Sequence, residues 1–188
     1  LIAGSNEVIG VISQPDKRSK RRASAEPSYV SSVAEKNGIN VYKPQNLDEN
    51  FKQTILQLKF DILLVAAYGK ILPEWLLKTP SKDSINIHYS LLPKYRGASP
   101  IQSALLNDEK ITGISIMRMT AGLDEGPVFV FHTQEILNSD NKNTLEKKLT
   151  SLSIKNIEKD LSNIYLDKIV PIKPVSYTHL RAHETVED

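Results

Sequence analysis

FDILLVAAYG, residues 60–69, is an unbroken apolar run that stops at a glycine. A strand with one face in water alternates apolar and polar residues, whereas a strand covered on both faces does not need to. The run therefore reads as an inner strand of a parallel sheet with helices on both sides. Upstream, EVIGVIS at residues 7–13 is rich in β-branched residues and reads as another strand. A loop with Pro15 follows, and SYVSSVAEKNG then sets Val30, Val33 and Ala34 on one helical face, with Asn37-Gly38 as its stop. INVY is a short strand at residues 39–42, and Asp48 caps a helix carrying Leu47, Phe51, Ile55 and Leu58 inward.

The same alternation continues downstream. ILPEWLLK is a helical turn, SINIH at residues 84–88 a strand, and Ser99-Pro100 a helix start with Ile101, Ala104 and Leu105 inward. TGISIMRM and PVFVFHTQEI both alternate and predict an antiparallel or edge pair. Asn143 and Glu146 stand at capping-box spacing. They are expected to open a long helix with Leu145, Leu149, Leu152, Ile157, Leu161 and Ile164 inward. Strands alternating with helices predict an α/β sandwich around a mostly parallel sheet. Ligands of such sheets sit at the carboxyl ends of the strands, which points at Gly69, His88 and the loop after Met119.

Composition narrows the chemistry. Of 188 residues 40% are apolar and 24% charged, which is ordinary for a water-soluble globular chain. No apolar run approaches the roughly 20 residues that span a bilayer. The absence of cysteine excludes disulfides, thiolate nucleophiles and Cys-bound zinc. The net charge is only +2, yet KRSKRR at residues 17–22 holds five cations in six positions. That run is either a solvated loop or a patch that meets phosphates.

The stretch INIHYSLLPKYRG at residues 85–97 carries the chemistry. Side chains two apart on a strand face the same way, so Asn86 and His88 project together. Pro93 fixes its own φ and biases Leu92 toward an extended backbone, so SLLP turns the chain. An amide donor beside an imidazole suits a carbonyl that becomes tetrahedral: one group stabilises the oxyanion and the other exchanges protons near neutral pH. Asp124, between Gly122 and Gly126 in AGLDEGP, is the carboxylate best placed to orient the imidazole. The plainer readings are a structural histidine and a turn aspartate. Ser90 near His88 raises a hydrolase dyad, but no G-x-S-x-G elbow is present, and neither are a Walker loop or a dinucleotide glycine fingerprint.

NIHYSLLPKYRGASPIQSALL, residues 86–106, followed by TGISIMRMTAGLDEGPV, residues 112–128, resembles the folate-dependent formyltransferase family. VISQPDKRSKRR, AAYGKILP and ASPIQSAL resemble in particular the members that formylate methionyl-tRNA. The resemblance implies a doubly wound, mostly parallel, Rossmann-like sheet and a cleft for the co-substrate 10-formyltetrahydrofolate, with no metal. It places the family's catalytic residues on Asn86, His88 and Asp124. It implies folate contacts from Tyr68, Gly69, Ile71, Leu72 and Pro73 and from Ser90, Leu91, Leu92 and Pro93. It further implies that Lys17, Arg18, Lys20, Arg21 and Arg22, in a loop over residues 14–27, meet phosphates of initiator methionyl-tRNA. Arg96 and Gly97 are expected to be structural, with Arg96 bonding loop carbonyls. The same catalytic set would serve glycinamide ribonucleotide or an amino-sugar nucleotide as acceptor, and an inactive binding fragment of the fold is a further alternative.

The resemblance covers about residues 1–175. It implies a catalytic domain over residues 1–170 that lacks the family's first strand and helix, and a linker start over 171–188 with the C-terminal β-barrel domain missing. SYTHLRAHETVED, residues 176–188, reads as a foreign tail. Its His179 and His183 stand at a helical metal-ligand spacing without the glutamate of a zincin. The expected setting is a monomer in a bacterial cytoplasm, with an organelle as the alternative, away from membranes.

Overall fold

The computed structural model describes residues 4, 6–18 and 25–174. Strand β1, Val11–Ile12, pairs in parallel with β4, Val41–Tyr42. Between them lie β2, Lys17–Arg18, β3, Ala25–Glu26, and helix α1, Tyr29–Lys36. Helix α2, Glu49–Leu56, leads to β5, Ile62–Val65, and a one-turn α3, Glu74–Leu77. Then come β6, Asp83–His88, α4, Pro100–Leu106, β7, Ile111–Arg118, β8, Val128–Glu135, and the long α5, Lys142–Tyr165. The order β5-β6-β7-β8 makes a four-stranded sheet, parallel at β5–β6 and antiparallel at the next two ladders. The expected antiparallel pair is β7–β8.

β5 is covered on both faces, as its apolar run requires. Ile62 and Leu64 pack on a cluster containing Ile85, Ile114, Ile116, Ile101, Leu145, Leu149 and Leu161. Leu63 and Val65 pack on the opposite side, with Ile55 of α2 and Leu72 and Leu76 around α3. The layers are thus α4 and α5, then sheet, then α2 and α3. α5 contains many Ser, Thr and Asn residues, all weak helix formers. Its buried leucines and isoleucines, each contributing about 1.5–3 kcal/mol, outweigh that deficit.

Several expectations shift in detail. The strand expected over residues 7–13 is paired only at Val11–Ile12. α1 buries Ser31 and Ala34, while Val30 is 50% exposed. The reason is a hydroxyl chain in which Ser13 and Ser31 each bond the Ser28 hydroxyl, at 2.7 and 2.8 Å, turning the small polar side inward. The cap of α5 is Asn141, two residues before the expected one. Its side chain accepts from the Asn143 and Thr144 amides, and Thr144 Oγ1 accepts from the Asn141 amide. Asp48 caps α2 through the Phe51 amide at 3.0 Å, as expected. Past residue 170 the chain still meets the sheet, where Ile172 bridges Val128.

Candidate active site

Register fixes where the polar pair points. Ile85 and Ile87 of β6 enter the cluster beneath α4 and α5. The alternation of a strand therefore sets Asn86 and His88 on the other face. There Asn86 lies opposite Val65 and Met117, and His88 lies opposite Ser115.

The chain then turns over that face. Ser115 is fully buried, and its hydroxyl donates to the Ser90 carbonyl at 2.6 Å and accepts from the Leu92 amide at 3.1 Å. The Ser90 hydroxyl donates to the Lys94 carbonyl at 2.5 Å, and the Leu92–Pro93 peptide is cis. Tyr95 follows with φ 56° and Gly97 with φ 93°. The second value suits only a residue without Cβ, as expected for Gly97. This path sets the Tyr95 carbonyl 2.9 Å from His88 Nε2, and His88 is only 6% exposed.

Asp124 arrives by a less direct route. β7 is antiparallel to β6, and Arg118 pairs with Ile85, so the loop after Met119 leaves the sheet nearer the start of β6 than its end. It folds back across the polar face. Gly126 permits this, because a Cβ there would lie 1.9 Å from the Arg118 carbonyl oxygen. Asp124 itself has φ 50°. The Gly97 amide donates to its Oδ2 at 2.8 Å. His88 Nδ1 stands 3.5 Å from the same oxygen, and Asn86 Nδ2 donates to Oδ1 at 3.5 Å. All three expected catalytic residues therefore meet.

The hydrogen bonds set the imidazole tautomer. A carbonyl oxygen only accepts, so Nε2 carries the proton that faces Tyr95. In the neutral ring Nδ1 then holds the lone pair, on the side of Asn86 and Asp124. The group that orients the ring is thus the Tyr95 main chain rather than Asp124. The carboxylate is placed instead to face an imidazolium once Nδ1 takes a proton. The two 3.5 Å contacts are long, so Asn86 and Nδ1 can each engage another polar group.

The remaining expected residues divide. Ile71 is 88% exposed beside Gly69, whose φ is 75°. Leu72 is buried, and the Tyr68 ring packs on the same apolar cluster. The Tyr68 hydroxyl is buried with no hydrogen-bond partner among the described residues, and burial raises its pKa. Ser90 is fully buried and Leu92 packs with Met117 and Val128, while Leu91 and Pro93 are half-buried. Among the described residues Arg96 bonds no loop carbonyl, which differs from the expectation; its guanidinium lies 3.8 Å from the Glu125 carboxylate, an opposite charge that attracts it more strongly than a neutral carbonyl. Lys17 and Arg18 form one strand of a ribbon, pairing with Glu26 and Ala25, where a loop was expected. Lys20, Arg21, Arg22 and the tail with His179 and His183 lie outside the described residues. The Gln14 amide donates to the Tyr68 carbonyl at 2.9 Å and so ties the ribbon's base to the end of β5. A groove of about 590 Å³ between the β7 start and the β8–α5 connection holds none of the expected site residues.

Sequence reasoning missed Ser115, Gln14 and the Tyr95 carbonyl. Ser115 carried a signal, since it is a serine on the inward side of an otherwise apolar strand. A backbone carbonyl carries none.

Comparison with known proteins identifies the family. The chain is 46% identical over 167 residues to the methionyl-tRNA formyltransferase of Dictyoglomus thermophilum, covering 88% of the chain and 54% of that protein. It spans about half the length of the curated relatives it matches. Its fold resembles glycinamide ribonucleotide transformylase 1 from Symbiobacterium toebii, with TM-score 0.68, 21% identity and coverage of 88% and 80% of the two chains. It also resembles the formyltransferase PseJ from Anoxybacillus kamchatkensis, solved with a formamido sugar nucleotide and tetrahydrofolate, with TM-score 0.62, 22% identity and coverage of 89% and 82%. The model of the family described as Formyl transferase matches residues 3–159, so the chain, with Asn86, His88 and Asp124 gathered on one face of its sheet, belongs to the formyl transferase family.

Proposed function

We propose that this chain carries the catalytic unit that moves a formyl group from 10-formyltetrahydrofolate to the α-amine of initiator methionyl-tRNA, for translation initiation. The observation that carries this reading is the convergence of Asn86, His88 and Asp124, with His88 Nδ1 turned toward the other two. The amine nitrogen attacks the formyl carbon, and the carbonyl oxygen gains negative charge. An Asn86 N–H donates to that oxygen. His88 Nδ1 takes the proton that the amine loses, and the resulting imidazolium faces Asp124 and also attracts the oxyanion. When the tetrahedral intermediate collapses, the bond to the donor nitrogen breaks and that nitrogen recovers a proton. Tyr68, Gly69, Ile71, Leu72, Pro73 and the turn 90–93 supply the folate side of the cleft in this reading. A related fold with tetrahydrofolate bound supports a folate donor.

The acceptor assignment rests on the 46% identical relative and on the cationic run at residues 17–22. Lys17, Arg18, Lys20, Arg21 and Arg22 would meet phosphates, a salt-sensitive contribution that positions without reading sequence. The reading implies a monomer in a bacterial cytoplasm. Among the described residues no helix is long and apolar enough to cross a membrane.

The test is formyl transfer to methionyl-tRNA, glycinamide ribonucleotide and an amino-sugar nucleotide in competition. It uses the natural reading frame that contains this chain, with His88→Ala as control. Transfer to the tRNA alone, lost in the control, supports the reading. Preference for another acceptor overturns the assignment of the ribbon, and no transfer by a folded protein overturns the enzyme.

A further inference from the structure

Tyr95 is an aromatic residue in the left-handed region, at φ 56°. Such a conformation persists only where surroundings impose it. Here the phenol hydroxyl donates to Glu109 Oε1 at 2.7 Å, and Lys94 Nζ reaches the same oxygen at 2.8 Å. The ring packs on the main apolar cluster. Glu109 is itself fixed, because its amide donates to the Ala104 carbonyl at 3.1 Å in the bend between α4 and β7. The product of this clamp is a carbonyl aimed at His88 Nε2, 2.9 Å away. Two residues later the Gly97 amide holds Asp124.

We propose that Glu109 is a positioning residue for His88: through the Tyr95 hydroxyl it holds the backbone turn whose carbonyl takes the Nε2 proton, and so keeps Nδ1 as the proton-accepting nitrogen. This rests on the formyl-transfer reading for its kinetic consequence, but not for its structural one. The competing view is that Glu109 merely forms a surface ion pair with Lys94. Removing Lys94 leaves the phenol–carboxylate bond intact and separates the two. Burial and the Glu109 bond push the Tyr95 phenol up to about 12, so the donor keeps its proton throughout the neutral range.

The experiment combines kinetics with ¹⁵N-histidine NMR on Glu109→Ala, Glu109→Gln, Tyr95→Phe and Lys94→Ala, in the natural reading frame. His88 resonances are assigned with His88→Ala, and denaturation midpoints confirm folding. Expected is an Nε2–H tautomer in the parent and in Lys94→Ala. Glu109→Ala and Tyr95→Phe should give a tautomer mixture and lower kcat roughly 10–100-fold with little change in donor KM. Glu109→Gln, which still accepts from the phenol, should retain most of both. An unchanged tautomer in Glu109→Ala and Tyr95→Phe overturns the proposal, and so does an equal change in Lys94→Ala. If the parent transfers no formyl group, the functional reading fails, and the tautomer measurement still decides the role of Glu109.

Discussion

Two buried serines make a paired test of what holds the site's turn. Ser115 and Ser153 are 0% and 6% exposed, and each loses one hydroxyl on substitution by alanine. The consequences differ because their partners differ. The Ser115 hydroxyl is the bond partner of the Ser90 carbonyl and the Leu92 amide, both in a turn with no ladder to fall back on. Leaving a buried backbone group unpaired costs about 1–3 kcal/mol, so Ser115→Ala should destabilise by roughly 2–4 kcal/mol. Ser153 donates only to the Leu149 carbonyl, which the helix already satisfies through the residue 153 amide. Ser153→Ala should lie within about 0.5 kcal/mol of the parent, since alanine is the better helix former. Urea denaturation of the chain measures both. With about 1 kcal/mol shifting the thermal midpoint by ~2–4 °C at this size, Ser115→Ala should melt roughly 5–15 °C lower. Equal effects from the two substitutions would refute the argument that the turn depends on the Ser115 hydroxyl.

Other outcomes follow from the same geometry. In formyl-transfer assays, Asn86→Ala should lower kcat by about 10²–10³ through loss of an oxyanion donor. Gly126→Ala forces a Cβ to within 1.9 Å of the Arg118 carbonyl oxygen. It should destabilise by about 1–3 kcal/mol and, by displacing Asp124, reduce activity in a variant that still folds. At high pH the Tyr95 phenol, raised from 10.0 to about 12, stays neutral in the fold while the unfolded phenol ionises. Its contribution is therefore present below pH 10 and lost as pH rises toward about 12, and Tyr95→Phe should lack that loss in alkaline unfolding curves. At low pH the sign reverses for Glu109, whose pKa is lowered first by Lys94 and then by Tyr95. Its contribution is present above its ordinary value of 4.5 and lost as pH falls through the depressed one, so Glu109→Gln should flatten the acid limb of the urea midpoint.

The layered fold was legible because burial on two faces leaves a mark that needs no partner to be seen. Ile62 and Leu64 face one cluster and Leu63 and Val65 the other, and the unbroken run required both. Asn86 and His88 were legible for a similar reason, since strand periodicity alone sets them together. What failed depended on hydroxyls. The inward side of α1 is chosen by Ser13, Ser28 and Ser31 bonding one another, and a hydrophobicity pattern scores those residues as surface. The α5 cap slipped for the same reason, because Asn141 and Thr144 satisfy each other where Asn143 and Glu146 matched only a spacing. The ribbon at Lys17–Arg18 was unreadable because two-residue strands carry too few residues to show a period.

The position of Asp124 bears on how Asn86, His88 and Asp124 would divide the work, a division that the sequence alone leaves open. From sequence, a carboxylate near an imidazole reads as the group that orients it. Here Nε2 meets the Tyr95 carbonyl at 2.9 Å, and Asp124 lies on the other side of the ring, 3.5 Å from Nδ1 and 3.5 Å from the Asn86 amide. The Tyr95 carbonyl fixes which nitrogen carries the proton in the neutral tautomer. In the proposed reaction the carboxylate would face the imidazolium that forms at His88. Its short bond to the Gly97 amide, 2.8 Å, keeps it in place through that change. Residues 95–97 thus hold the base by a carbonyl and its counter-charge by an amide. Any shift of that turn would move both together, so the anchors of the turn, Ser115 and Glu109, are expected to affect the proposed chemistry without touching it.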